Sequence, residues 1–130
     1  MITGMVRARE GRIRLTVRGN SGSDREIEAV VDTGYTESLS LPPAIIIALA
    51  LRWKTFGRGT VADGSECIFN RYVGILSWDG EDRRIAIDEM DEQPLVGMKL
   101  LRGFELRMQV RPGGKVTIKR LPSKKPPKRR

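Results

Sequence analysis

Ile13, Leu15 and Val17 alternate with Arg12, Arg14, Thr16 and Arg18, a period of two that puts one apolar face on a strand. Strand-like stretches of this kind recur at short intervals, separated by turn residues. Met5 to Arg9 and Arg12 to Arg18 flank Glu10-Gly11, read as a hairpin turn. Gly19 to Asp24 is a loop by composition, and Glu26 to Asp32 is the next strand, with apolar Ala29-Val30-Val31 suited to burial. Pro42-Pro43 opens a helix over Ala44 to Leu51, apolar on every side and therefore expected in the core or against a partner. Thr60 to Ala62, a turn at Asp63-Gly64 and a long strand from Glu66 to Trp78 follow. Asp79-Gly80 leads into Arg83 to Ile87. A helical turn over Met98 to Arg102 precedes strands at Phe104 to Val110 and Lys115 to Ile118, joined by Pro112-Gly113-Gly114. The expected fold is a small, mainly β body with one or two short helices. No internal repeat is evident.

Composition narrows the chemistry. The 130 residues fit one domain. There is no histidine and one cysteine, which excludes a Ser–His–Asp triad, a Cys–His pair and a conventional zinc site. One cysteine forms no disulfide within the chain, in keeping with a reducing compartment, so a cytoplasmic location is expected. The longest apolar run, Leu41 to Leu51, contains two prolines and is far short of the roughly 20 residues that span a bilayer. Met1 to Glu10 has no apolar core of a signal peptide, and no membrane partner is expected.

The formal charge of +8 is concentrated at one end. Lys119 to Arg130 carries seven basic residues and no acid, leaving 17 basic against 16 acidic residues before it. With Pro122, Pro126 and Pro127, this segment reads as a disordered tail, 119–130, after a domain at 1–118. A nucleic-acid partner is expected through this tail only; added solubility is the plainer reading.

Without histidine, catalysis falls to carboxylates, Lys, Tyr, Ser or Cys67. Val30-Val31-Asp32-Thr33-Gly34 delivers an aspartate to the end of a buried strand, followed by a braceable hydroxyl and a turn residue. A bare Asp-Thr-Gly is also what a strand-end Asx turn requires. Leu39-Ser40-Leu41-Pro42-Pro43 follows, and about sixty residues after the aspartate comes Pro94-Leu95-Val96-Gly97 with a short helix. This order resembles the retropepsin-like aspartic proteases, closest to a small bacterial and archaeal single-lobe branch, over roughly Arg12 to Ile118. The resemblance implies a single-lobe acid protease barrel. It implies that Asp32 is the catalytic aspartate, that Thr33 bonds across a dimer axis and that Gly34 completes the loop. Val96 and Gly97 match the family's second signature. The hairpin tip Ala62, Asp63, Gly64 and Ser65 lies where the family has its flap. Tyr35, where a small residue is usual, is expected beside substrate and able to narrow the cleft.

The implied activity is an aspartic endopeptidase with no cofactor and a slightly acidic optimum. Its two carboxylates share a proton, aspartic proteases being the type case of such a dyad. One Asp-Thr-Gly per chain then implies a homodimer acting on peptide or protein, its terminal strands pairing across the two-fold axis. The alternative is a non-catalytic peptide-binding or dimerisation module on the same scaffold. Elsewhere, Cys67 is expected buried and inert, and Trp53 and Trp78 as core or interface anchors. Asp88-Glu89-Asp91-Glu92 is expected as a solvated loop without EF-hand spacing.

Overall fold

The structure, a computed structural model, describes residues 1–20 and 22–123. Among the described residues ten strands and two short helices follow in chain order: β1 (Ile2–Arg7), β2 (Glu10–Arg18), β3 (Asp24–Val31), β4 (Leu39–Leu41), α1 (Pro43–Ala48), β5 (Arg52–Thr60), β6 (Glu66–Trp78), β7 (Glu81–Glu89), β8 (Leu95–Val96), α2 (Met98–Leu101), β9 (Phe104–Met108) and β10 (Lys115–Arg120). The strands form one sheet in the order β5-β6-β7-β4-β8-β3-β2-β1-β10-β9. A further pairing of β6 with β2, Val17 opposite Leu76, bends six of them into a closed ring. The alternation in β2 does what its period demands: Ile13, Leu15 and Val17 are buried inside that ring with Leu76, Trp78 and Ile87.

Several boundaries differ from the sequence reading, each for a local reason. The first hairpin turns at Ala8-Arg9, both with positive φ, because this turn matches the twist of the strands. Gly11 is instead a paired strand residue opposite Val6, and a Cβ there would meet the Met108 sulfur at 2.5 Å. The apolar helix is only six residues long. Ile46 is buried while Ile47 lies 75% exposed, so it is amphipathic and not enclosed on every side. Arg52 to Gly59, which shows no alternation, is a strand because it pairs along β6 in a long projecting hairpin. On the outer half of that hairpin both faces meet solvent, so Cys67 is exposed rather than buried. Trp78 is a core residue as expected, but Trp53 is half-exposed on β5.

The terminal strands pair within the chain. β1 lies between β2 and β10, Ile2 opposite Ile118, so neither β1 nor β10 has a free edge to offer a second chain. Among the described residues the edges left open are β9 and β5. β10 also runs two residues past Ile118: Lys119 faces Glu105 across β9, and the Arg120 guanidinium lies 5.5 Å from the Phe104 ring. These two residues, read with the tail, therefore belong to the sheet. The tail from 124 onward lies outside the described residues. Asp79 ties the ends together, accepting from the Met1 amine at 2.6 Å and facing Arg120 at 3.7 Å. No helix among the described residues is long and apolar enough to cross a membrane.

Candidate active site

Asp32 stands one residue beyond β3, whose last residues are held on both sides. Val30 and Val31 pair with β2 or β8, and the Asp32 N–H continues the ladder by donating to the Val96 carbonyl at 2.9 Å. The chain then turns back on itself. The Gly34 N–H donates to Asp32 Oδ1 at 2.9 Å and the Tyr35 N–H to the Asp32 carbonyl at 3.1 Å. This is the Asx turn that the Asp-Thr-Gly sequence permits on its own. Asp32 remains half-buried, with Thr33 and Gly34 exposed beside it.

The second signature clamps this loop. Two-residue β8 is threaded between β3, which it meets in parallel, and β4, which it meets antiparallel. The helix α2 that follows has no side-chain cap. Its orphan N–H groups, and that of Gly97, are instead taken by the loop: Gly97 donates to the Ser38 carbonyl at 3.0 Å, Met98 to Tyr35 at 2.8 Å and Lys99 to Glu37 at 3.3 Å. Gly97 is required by this contact, since a Cβ would lie 2.1 Å from the Glu37 carbonyl oxygen. Ser40, fully buried on β4, completes the lock by accepting from the Leu95 N–H at 3.2 Å. Asp32, Gly34, Val96 and Gly97, distant in sequence, are thus tied into one loop unit, with Thr33 exposed between Asp32 and Gly34.

Tyr35 turns into the fold. Its ring packs on Gly97, and its hydroxyl donates to Asp88 Oδ2. Asp88, expected in a solvated loop, is buried on β7, 1% exposed, and its other oxygen accepts from Arg71 Nε at 2.7 Å. A buried carboxylate needs such partners, and both come from distant strands or loops. Burial, then the bond to Asp88, pushes the Tyr35 phenol well above its ordinary value. The bond to Asp88 raises Arg71 likewise. Arg71 also lies 5.6 Å from the centroid of the Phe69 ring, which covers Gly57 on β5. A continuous contact chain therefore links the Asp32 loop, through Tyr35, Asp88 and Arg71, to the base of the β5–β6 hairpin. The pairing of Asp88 with Arg71 left no mark in the sequence, where Asp88 reads only as part of an acidic loop, because opposite charges 17 residues apart carry no spacing rule.

The hairpin tip is a compact turn. Val61 and Ser65 pair through backbone, Gly64 takes φ +85°, and Asp63 Oδ1 accepts from the Ser65 N–H and hydroxyl at 2.8 and 2.6 Å. Those two bonds, the hydroxyl first, hold the Asp63 carboxyl below its ordinary value. Ala62, Asp63, Gly64 and Ser65 are all exposed, and none of them lines the cleft at Asp32. That cleft, about 700 Å³, is walled by Val6, Val31, Met108 and Val110, with Arg9 and Glu92 also lining it. Among the described residues no cluster of His, Cys, Asp and Glu has the makings of a metal site.

No protein-family model matches the sequence, and no curated protein matches it. Solved structures do share its architecture. One is a retropepsin-like aspartic protease from Rickettsia conorii, 19% identical, with a TM-score of 0.58 over 89% of this chain and 87% of that one. With its mainly β ring, threaded β8 and two short helices, the chain has the single-lobe retropepsin-like fold.

Proposed function

We propose that the protein is an aspartic endopeptidase whose active site forms between two copies of the chain, each contributing Asp32. The observation that carries this reading is the locked loop: a half-buried carboxylate at a strand end, at the rim of an open cleft, held by the Val96 carbonyl on its N–H and by the Gly34 N–H on its Oδ1. Rigid placement is what two carboxylates need if they are to share one proton. In the pair, one Asp32 takes a proton from water as it attacks the peptide carbonyl. The other donates to the carbonyl oxygen, and proton transfer to the leaving amine completes hydrolysis. A lone Asp32 lacks the acid, so the monomer is inactive.

The likeness to the Rickettsia conorii protein supports the protease reading through the fold. The dimer is supported by the open edge of β9 and by Met108 and Val110, exposed apolar residues at the mouth of the Asp32 cleft. The projecting β5–β6 hairpin, with exposed Phe56, Val61 and Ile68, supplies apolar surface suited to covering an extended peptide. Under this reading the substrate is peptide or protein, no cofactor takes part, and the cytoplasmic setting stays as expected from a chain with a single cysteine. Cleavage of a peptide library by the wild-type protein, but not by Asp32→Asn, tests the reading. Equal cleavage by both sinks it.

A further inference from the structure

The outer edge of β9 is unpaired among the described residues, and two bonds at the ends of its pairing with β10 fix which of its groups are free. The Gln109 N–H donates to the Lys115 carbonyl at 2.9 Å, and the Leu121 N–H to the Gly103 carbonyl at 2.9 Å. Bonding to β10 therefore falls on the odd-numbered residues, Glu105 and Arg107 among them. The N–H and C=O groups of Phe104, Leu106 and Met108 point the other way, off the sheet. Such a row of unpaired donors and acceptors is a template for one more strand.

The side chains select which strand. Glu105 and Arg107 share the outer face, their side chains 52% and 77% exposed, and meet each other at 3.5 Å. Phe104, Leu106 and Met108 take the opposite face, where the first two pack against the core and Met108 walls the Asp32 cleft. A second β9 laid antiparallel, Leu106 opposite Leu106, matches on both faces. Glu105 then faces the partner's Arg107, Arg107 the partner's Glu105, and Phe104 the partner's Met108. The neighbouring registers set Glu105 against Glu105 or Arg107 against Arg107, so charge rejects both. We propose that β9 is the seam between two copies of this chain, paired antiparallel about Leu106, with Glu105 and Arg107 choosing the register. This pairing is its own inverse and closes at two copies. It rests on the two-copy reading above and supplies its contact, since β1 and β10 are occupied within the chain. The other open edge among the described residues, β5, carries Arg52, Lys54 and Arg58 with no acid, and repels its own copy.

Sedimentation velocity of the full chain tests the seam without substrate, and so separately from proteolysis. Glu105→Lys sets cation against cation at both crossings, and Arg107→Glu sets acid against acid. Each is expected to weaken the wild-type dimer roughly tenfold, and less in high salt. Mixed one to one, the two variants are expected to recover wild-type affinity, because both crossings then join opposite charges; a folding defect in either chain is not cured by mixing. The Leu106 and Met108 amides are expected to exchange slowly in concentrated protein and fast in dilute protein. A wild type that stays monomeric up to its solubility limit, single variants that pair as well as wild type, or a mixture that recovers nothing overturns the seam. Open filaments would place β9 on β5 of another copy and overturn it equally. If the variants behave as expected and no Asp32-dependent cleavage is found, the seam stands and the endopeptidase reading falls.

Discussion

Tyr35 and Asp88, 53 residues apart in the chain, are joined by a hydrogen bond that fastens the Asp32 loop to the centre of the sheet. Asp88 also holds Arg71 on β6, so one buried carboxylate couples the loop to the strand that leads into the projecting hairpin.

Removing either partner leaves that carboxylate short of bonds, but the two losses differ in kind. Tyr35→Phe deletes a bond to a charged group and is expected to cost about 1.5–3 kcal/mol in urea denaturation. Arg71→Ala strands a buried charge and is expected to cost more, about 3–5 kcal/mol. A smaller loss for Arg71→Ala than for Tyr35→Phe would mean that the Asp88 charge is not held as described.

The same bond sets an alkaline limit. The Tyr35 phenol is raised in the fold above its ordinary 10.0, so its contribution to stability is complete below pH 10.0 and declines as pH rises beyond that. Wild type is expected to lose stability between pH 10 and 11 more steeply than Tyr35→Phe, measured by thermal melts in matched salt. Parallel curves would remove Tyr35 as the source.

Gly97 tests the loop clamp. In Gly97→Ala the new methyl meets backbone oxygen at Glu37 and Tyr35, and neither can move without opening the Asp32 loop. The expected cost is about 3 kcal/mol, with exposure of the Met98 amide to hydrogen exchange. Gly34→Ala is the contrast: its methyl meets only Asp32 Oδ1, at 3.2 Å, and the fold is expected to tolerate it. Equal stability of wild type and Gly97→Ala would contradict the close approach.

At the hairpin tip, the Asp63 carboxyl lies below its ordinary 3.8 because Ser65 bonds to it. The bracing is therefore complete above that pH and is lost as pH falls through the lower folded value. Amide exchange at Gly64 and Ser65 is expected to accelerate below about pH 3.8, beyond the intrinsic trend, in wild type and not in Asp63→Asn. Identical profiles would show that the turn stands without this carboxylate.

What the sequence disclosed follows from where information is local. β6 is legible from Glu66 to Trp78 because its boundaries are turn residues, and Asp79-Gly80 turns as its composition demands. The Asp32 loop is legible because Val30-Val31, the Asx turn and Gly97 each carry a residue type the geometry requires. β5 is not, because Gly57 and Gly59 sit in a strand for the sake of the Phe69 ring and β6 pairing, contacts made across the hairpin. Asp88 reads as solvated because only the fold brings Arg71 and Tyr35 to it. The internal pairing of β1 and β10 is likewise invisible, since an apolar edge strand reads the same whichever chain covers it.

The most direct test of the central claim, one Asp32 from each of two chains, is a subunit-mixing assay. Asp32→Asn keeps an oxygen to accept from the Gly34 N–H, so it is expected to fold and pair like wild type. Equilibrated one to one with it, wild-type chains are expected to lose about half their peptidase activity per chain, because about half then sit in one-aspartate dimers. Activity per wild-type chain that stays constant at every mixing ratio would contradict the shared site.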